Sequence, residues 1–304
     1  MPGFTLEDDA LDLPPGAIAR TERKILRHDG RPLLGLTQGR MRPYVYPLFT
    51  PQGFAVTSES PADHPHHNSL WIASDHVHAL VPVGAGKHEE YTYNFYVDET
   101  FQGRAPGTLI ATATALELPG GAAVTVDQHV EWRGPSEWGA PQGRTVATER
   151  RRTTVTVAAG AHVLDVESEL SPVSWDLAVG PTRHAYFNAR VADSMVVSLG
   201  GIVRDDRGRQ GAEAIAQSPP RWVDFTGPVG GGHVAGVTVI PDPRDAGDVS
   251  WFVADWGVVS VGTFRLKRQV IARGAKLRVR FRAVVHDGPA AETDVASWVA
   301  GFPA

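Results

Sequence analysis

From Lys276 to His286 the chain alternates: Leu277, Val279 and Phe281 take one side of a two-residue repeat, and Lys276, Arg278, Arg280 and Arg282 take the other. Such a period places successive side chains on opposite faces of an extended strand, one suited to burial and one to water. Leu164, Val166 and Leu170 alternate with Asp165, Glu167 and Glu169 in the same way. The pattern predicts further strands over 108–118, 122–132, 153–158, 195–199, 237–240, 251–254 and 258–264. Breakers stand between them, among them Pro119-Gly120-Gly121, Pro219-Pro220 and Gly230-Gly231-Gly232. Helical periodicity is scarce, and the 32 glycines and 23 prolines disfavour helices further. Strands that follow one another without helices between them predict an all-β antiparallel sandwich or barrel. We expect one domain over 1–304, with residues 1–15 a loosely held extension and 134–144 a long surface loop.

The chain has no cysteine, which excludes thiol catalysis, disulfide scaffolds and Cys-ligated metals. A formal charge of −5 disfavours nucleic acid as a partner. No apolar run reaches the length of a membrane span, so no membrane partner is expected. The segment from Met1 to Leu13 carries four acidic residues and no basic or apolar leader pattern, so the expected location is cytoplasmic. Glu149-Arg150-Arg151-Arg152 reads as the solvated face of a strand. Gly230-Gly231-Gly232 lacks the strand-to-helix context of a phosphate loop, and no G-x-S-x-G elbow is present.

Chemistry concentrates in two segments. Asp63-His64-Pro65-His66-His67-Asn68-Ser69-Leu70-Trp71 holds three of the twelve histidines within four positions, and its proline and turn formers place it at the rim of a sheet. Imidazole can carry a proton near neutrality, donate to a hydroxyl or ligate a metal, and all three readings are open for His64, His66 and His67. His76 and His78 follow, with a structural reading favoured. The second segment runs from Gly180 to Arg190. As a strand it puts His184, Tyr186 and Asn188 on one face, a set suited to the hydroxyl edges and apolar faces of a sugar. A structural ion pair is the favoured reading of Arg190. Trp222, Trp251 and Trp256 are expected in the core, and Trp71, beside the histidines, is the expected sugar-stacking ring.

Pro181-Thr182-Arg183-His184-Ala185-Tyr186-Phe187-Asn188 resembles the Thr-Asn-His-x-Tyr-Phe-Asn motif of galactose mutarotase and other aldose 1-epimerases, with Arg183 at the usual asparagine. The resemblance implies a galactose mutarotase-like supersandwich and a general acid at His184. A wider resemblance, from about Arg42 to His286, is to the bacterial PmoA-like family. It rests on the run from Arg42 to Leu48, the Asp63–Trp71 segment, Glu149-Arg150 and Trp222-Val223-Asp224-Phe225. That family's "methane oxygenase" label does not transfer, since a membrane subunit needs spans this chain lacks.

The expectation is a carbohydrate-active isomerase or lyase that performs epimerisation or elimination/hydration on a sugar or oxidised sugar. Its catalytic residues are His184, His67 and His286. Its substrate-binding residues are His64, His66, Asn68, Trp71, Arg183, Tyr186 and Asn188. The epimerase glutamate near the C-terminus has no clear counterpart: His286 and Asp287 follow the last strand, and Glu292 lies in the tail. No cofactor is required. Two alternatives stand beside this reading: a cupin-like enzyme with a divalent metal on His64 and His66 aided by Glu89 or Glu90, and a non-catalytic sugar-binding sandwich. The sequence leaves the oligomeric state open.

Overall fold

The computed structural model describes residues 3–9, 22–245 and 249–302. The alternating segments build two eight-stranded antiparallel sheets and a smaller five-stranded one. In the first sheet the neighbours run Phe4–Asp8, Glu22–His28, Arg31–Gln38, Pro43–Leu48, Leu70–Ser74, Ala185–Arg190, Val258–Gly262 and Ser250–Ala254. The second runs Ile202–Asp205, Val223–Gly230, His233–Pro241, Leu277–Asp287, Ala161–Pro172, Thr145–Ala158, Ala123–Arg133 and Thr108–Gly120. The third contains Val77–Gly84 and Lys87–Asn94, and its pairing of Lys87–Asn94 with Ala105–Pro106 is parallel. The strand Phe4–Asp8 pairs along its length with Glu22–His28; the rest of the expected 1–15 extension, apart from Gly3 and Asp9, lies outside the described residues.

The alternation has its physical consequence in the core, where one apolar cluster draws on the large sheets. Phe187 of the first stacks on Phe281 of the second, ring centres 5.1 Å apart and planes 7° from parallel. Tyr186 stacks on Trp132, and its hydroxyl meets the Ser168 hydroxyl at 2.9 Å, so its buried polar end is satisfied. Among the described residues no helix is long and apolar enough to cross a membrane.

Two local expectations fail. The apolar run 195–199 is not a strand but part of two 3-10 turns, Asp193–Met195 and Val197–Leu199, closed by Gly200 at φ 95°. Met195 and Val196 are buried while Leu199 is exposed, so the start of the run serves core packing and none of it pairs as a strand. The Glu149–Arg152 run is solvated only on one side. Arg150 and Arg152 face outward to Asp127 and Glu117, whereas Glu149 and Arg151 are buried. Glu149 accepts from Trp132 Nε1 at 2.9 Å and from Arg151 at 2.8 and 2.9 Å, and Arg151 reaches the Pro43 carbonyl of the first sheet. A buried carboxylate is tolerated because its acceptor sites are filled by charge-assisted bonds.

Candidate active site

Leu70–Ser74 is buried throughout, and Asp75 is the first residue beyond it. In the first sheet this strand pairs antiparallel with Ala185–Arg190 in the register Ala185↔Ser74. One step further, that register sets His184 opposite Asp75. His184 Nδ1 is 3.0 Å from Asp75 Oδ2, Thr182 Oγ1 donates to Asp75 Oδ1 at 2.5 Å, and His76 Nδ1 meets the same oxygen at 2.8 Å. Arg104 adds a cation at 3.6 Å. The turn that delivers Thr182 begins at Gly180, φ 79°, where a Cβ would lie 2.5 Å from the Phe264 carbonyl oxygen; glycine is required there.

Burial acts to raise the Asp75 pKa, but the hydrogen bonds from His184, His76 and Thr182 outweigh it and hold the carboxyl well below the ordinary range. An ionised Asp75 accepts Nδ1–H of His184 and leaves Nε2 with its lone pair. Arg183 Nε donates to that nitrogen at 3.2 Å, as this tautomer requires.

The histidine-rich loop meets this pair from another direction. Backbone bonds from His64 to Pro61 and from His67 to His64 fold it into successive turns. Arg190 grips Asp63 with two bonds, 3.1 and 2.9 Å, and lies 5.0 Å over the Trp256 ring; the expected ion pair of Arg190 is present. His64 lies flat on Trp256, centres 4.1 Å apart and planes 7° from parallel, and His67 packs beside both, 4.8 Å from His64 and 5.5 Å from Trp256. Tyr96 bridges the segments: its hydroxyl is 3.4 Å from His67 Nε2, and its ring stacks on His184 at 4.9 Å. Burial lowers His66 to about 4 and His67 to about 2, with neighbouring Arg42 and the other histidines adding to the effect, so both rings are neutral at pH 7.

Asp75 and His184, the histidines of the loop, Tyr96 and Trp256 line a cavity of about 300 Å³, at the small end of ligand pockets. His64, His66, His67, Arg183 and His184 of the expected set converge on it. Asp75, Asn94, Tyr96, Glu99 and Phe252 line it too and were not expected; the one sequence signal among them is the carboxylate of Asp75 directly closing a buried apolar run. Asn94 Oδ1 accepts the backbone N–H groups of Tyr96 and Val97, while its Nδ2 has no partner. His67 Nδ1, Trp71 Nε1 and Arg42 Nε are likewise buried without partners.

The remaining expected residues stand elsewhere. Trp71 is buried beneath His67, ring centres 5.1 Å apart, and the tryptophan that lines the cavity is Trp256; the two exchange the expected roles because Trp71 is inside a fully buried strand. Tyr186 points into the core. Asn188 is buried, takes the Ser260 hydroxyl on its Oδ1 and donates to the Tyr186 carbonyl at 3.0 Å. Asn68 lines an adjoining cavity. His286 sits in the second sheet, where Nε2 is 2.9 Å from Asp224 Oδ1 and Nδ1 is 2.8 Å from the Gly288 carbonyl; both nitrogens are committed inside the protein. Among the described residues no group of three or more His, Asp or Glu side chains is arranged to hold a metal ion. His64 Nδ1 is engaged by Asp63 at 2.9 Å, and Glu90 pairs with Arg268.

Solved structures with similar folds include a galactose mutarotase-like protein from Lactobacillus casei, at 9% identity and TM-score 0.40, covering 93% of this chain and 100% of that one. Another is a galactose mutarotase-like protein from Clostridium acetobutylicum, at 7% identity and TM-score 0.43, covering 94% and 99%. No curated protein matches the sequence significantly. No match supports the PmoA-like resemblance. The model of a family of unknown function (DUF6807) matches residues 25–300, and the chain belongs to that family.

Proposed function

We propose that the cavity binds a sugar or oxidised sugar and that His184 exchanges a proton with it as general acid/base, in an epimerisation or an elimination/hydration. The observation that carries this reading is the Asp75–His184 pair. A buried carboxylate fixes the tautomer and orientation of the ring, and its negative charge stabilises the imidazolium formed when Nε2, released from its bond to Arg183, takes a proton from the substrate. Removal of a proton from a carbon beside a carbonyl, or protonation of a ring oxygen, is within the reach of such a group.

The surroundings favour a sugar over an apolar ligand. Trp256 and Phe252 add aromatic surface to the lining, while neutral His66 and the free amide N–H of Asn94 meet hydroxyls. Arg183, 4.8 Å over the Phe252 ring, places a cation at the rim for an oxyanion or carboxylate. Glu99, the second carboxylate of the lining, is the group we assign as the base.

The test is incubation of the protein with a panel of sugars and 3-keto-sugars in heavy water, followed by NMR. Deuterium uptake at one carbon, or conversion to an anomer or eliminated product, supports the reading. Binding without exchange or turnover across the panel overturns the catalytic part, and absence of binding overturns the sugar part as well.

A further inference from the structure

A second cavity, of about 330 Å³, adjoins the first, and the two share His66, Val97 and Glu99 as common walls. Each has room for roughly one sugar ring. Arg42, fully buried and part of the second cavity's lining, holds the wall between them: it donates from Nη1 to the His66 carbonyl at 3.2 Å and from Nη2 to the Tyr96 carbonyl. Its burial lowers the guanidinium pKa only to about 10, so it remains charged, and its Nε is left without a partner. A fully buried cation with an unfilled donor is a costly arrangement unless something polar approaches it.

The chemistry of the second cavity resembles that of the first without its proton-transfer pair. Asn68 and Asp98 present an amide and a carboxylate, Pro65 and Val97 present apolar surface, and Tyr44 turns its hydroxyl away to Glu59. Alternating hydrogen-bonding and apolar surface suits a sugar ring better than a flat aromatic or an acyl chain.

We propose that the second cavity is a subsite for the unit attached to the sugar at His184, so that the ligand is a disaccharide or glycoside, with His66 and Glu99 flanking the linkage. This rests on the sugar reading above. It explains why one loop carries both His66, facing the two cavities, and Asn68, facing the second alone.

The test is titration calorimetry of the full chain with glucose, galactose and mannose against cellobiose, maltose and lactose. The variants Asn68→Trp and Asp98→Trp, each of which fills the second cavity, are measured beside the wild type, with folding checked by circular dichroism. At least one disaccharide is expected to bind tenfold or more tightly than its component monosaccharide, and either variant is expected to cut that preference to twofold or less. Monosaccharides binding as tightly as disaccharides, or a preference retained by both folded variants, overturns the subsite while leaving the sugar reading intact. No binding by any sugar of either length overturns the subsite, and the sugar reading falls with it when the 3-keto-sugars fail to bind as well. Should a variant not fold, the wild-type ratio alone decides the proposal.

Discussion

Asp75 and His184 are 109 positions apart in the chain, yet the Asp75 carboxylate lies 3.0 Å from Nδ1 of His184. The antiparallel register of the two buried strands before and after them sets that distance. A rigid sheet is a more exact holder of a proton-transfer pair than a loop would be.

Thr182 fixes the pair twice, through its hydroxyl bond to Asp75 and as acceptor of the His184 backbone N–H at 3.0 Å. Thr182→Val leaves a buried carboxylate short of one donor. We predict a loss of about 1–3 kcal/mol in chemical unfolding and a several-fold fall in kcat, with the wild-type behaviour restored by Thr182→Ser.

Trp256 supports the flat face of His64 and the guanidinium of Arg190. Trp256→Ala should raise KM about tenfold, equivalent to about 1.4 kcal/mol of binding, while kcat changes far less. Steady-state kinetics separates the two constants.

His67 links the site to pH. Its folded-state pKa, about 2, lies below the ordinary histidine value near 6.5, so between these values the unfolded chain binds a proton that the native protein refuses. Its contribution to stability is therefore complete above pH 6.5 and is lost as pH falls, by at most about 1.4 kcal/mol per pH unit. Unfolding free energies from pH 7 to pH 4 should fall less steeply for His67→Gln than for wild type, by about one proton's worth of slope. Equal slopes would show that His67 is protonated in the native state.

His286 should matter for folding and not for chemistry. It is buried against Asp224, whose carboxyl is held low, against the effect of burial, first of all by that hydrogen bond. Breaking a buried pair by removing one partner costs several kcal/mol. We expect His286→Ala to lose about 3 kcal/mol in urea unfolding while the exchange rate per folded molecule stays within twofold.

The all-β fold was legible because its signal is local: the alternation of Leu277, Val279 and Phe281 with charges can be satisfied only by a half-buried strand. The run 195–199 misled because Met195 is apolar for the sake of the core and not of a strand face. Glu149 and Arg151 were misread for the opposite reason, since charged residues signal exposure unless their partners, Trp132 and each other, can be seen. At the site, the density of His64, His66 and His67 and the motif around His184 were visible in sequence. Asp75 was not, because a single carboxylate gains meaning only from a register set between distant strands. Tyr186 failed for a similar reason: period-two alternation from His184 does not reveal that its ring belongs with Trp132.

The most direct measurement is the rate of deuterium incorporation, followed by NMR, into the sugar that the wild type labels, for wild type, His184→Gln and Asp75→Asn. Both variants are expected to bind that sugar within a few-fold of wild type and to label it at least about 100-fold more slowly, the scale expected for loss of a general acid/base. Labelling by His184→Gln at the wild-type rate would show that His184 is not the proton-transfer group.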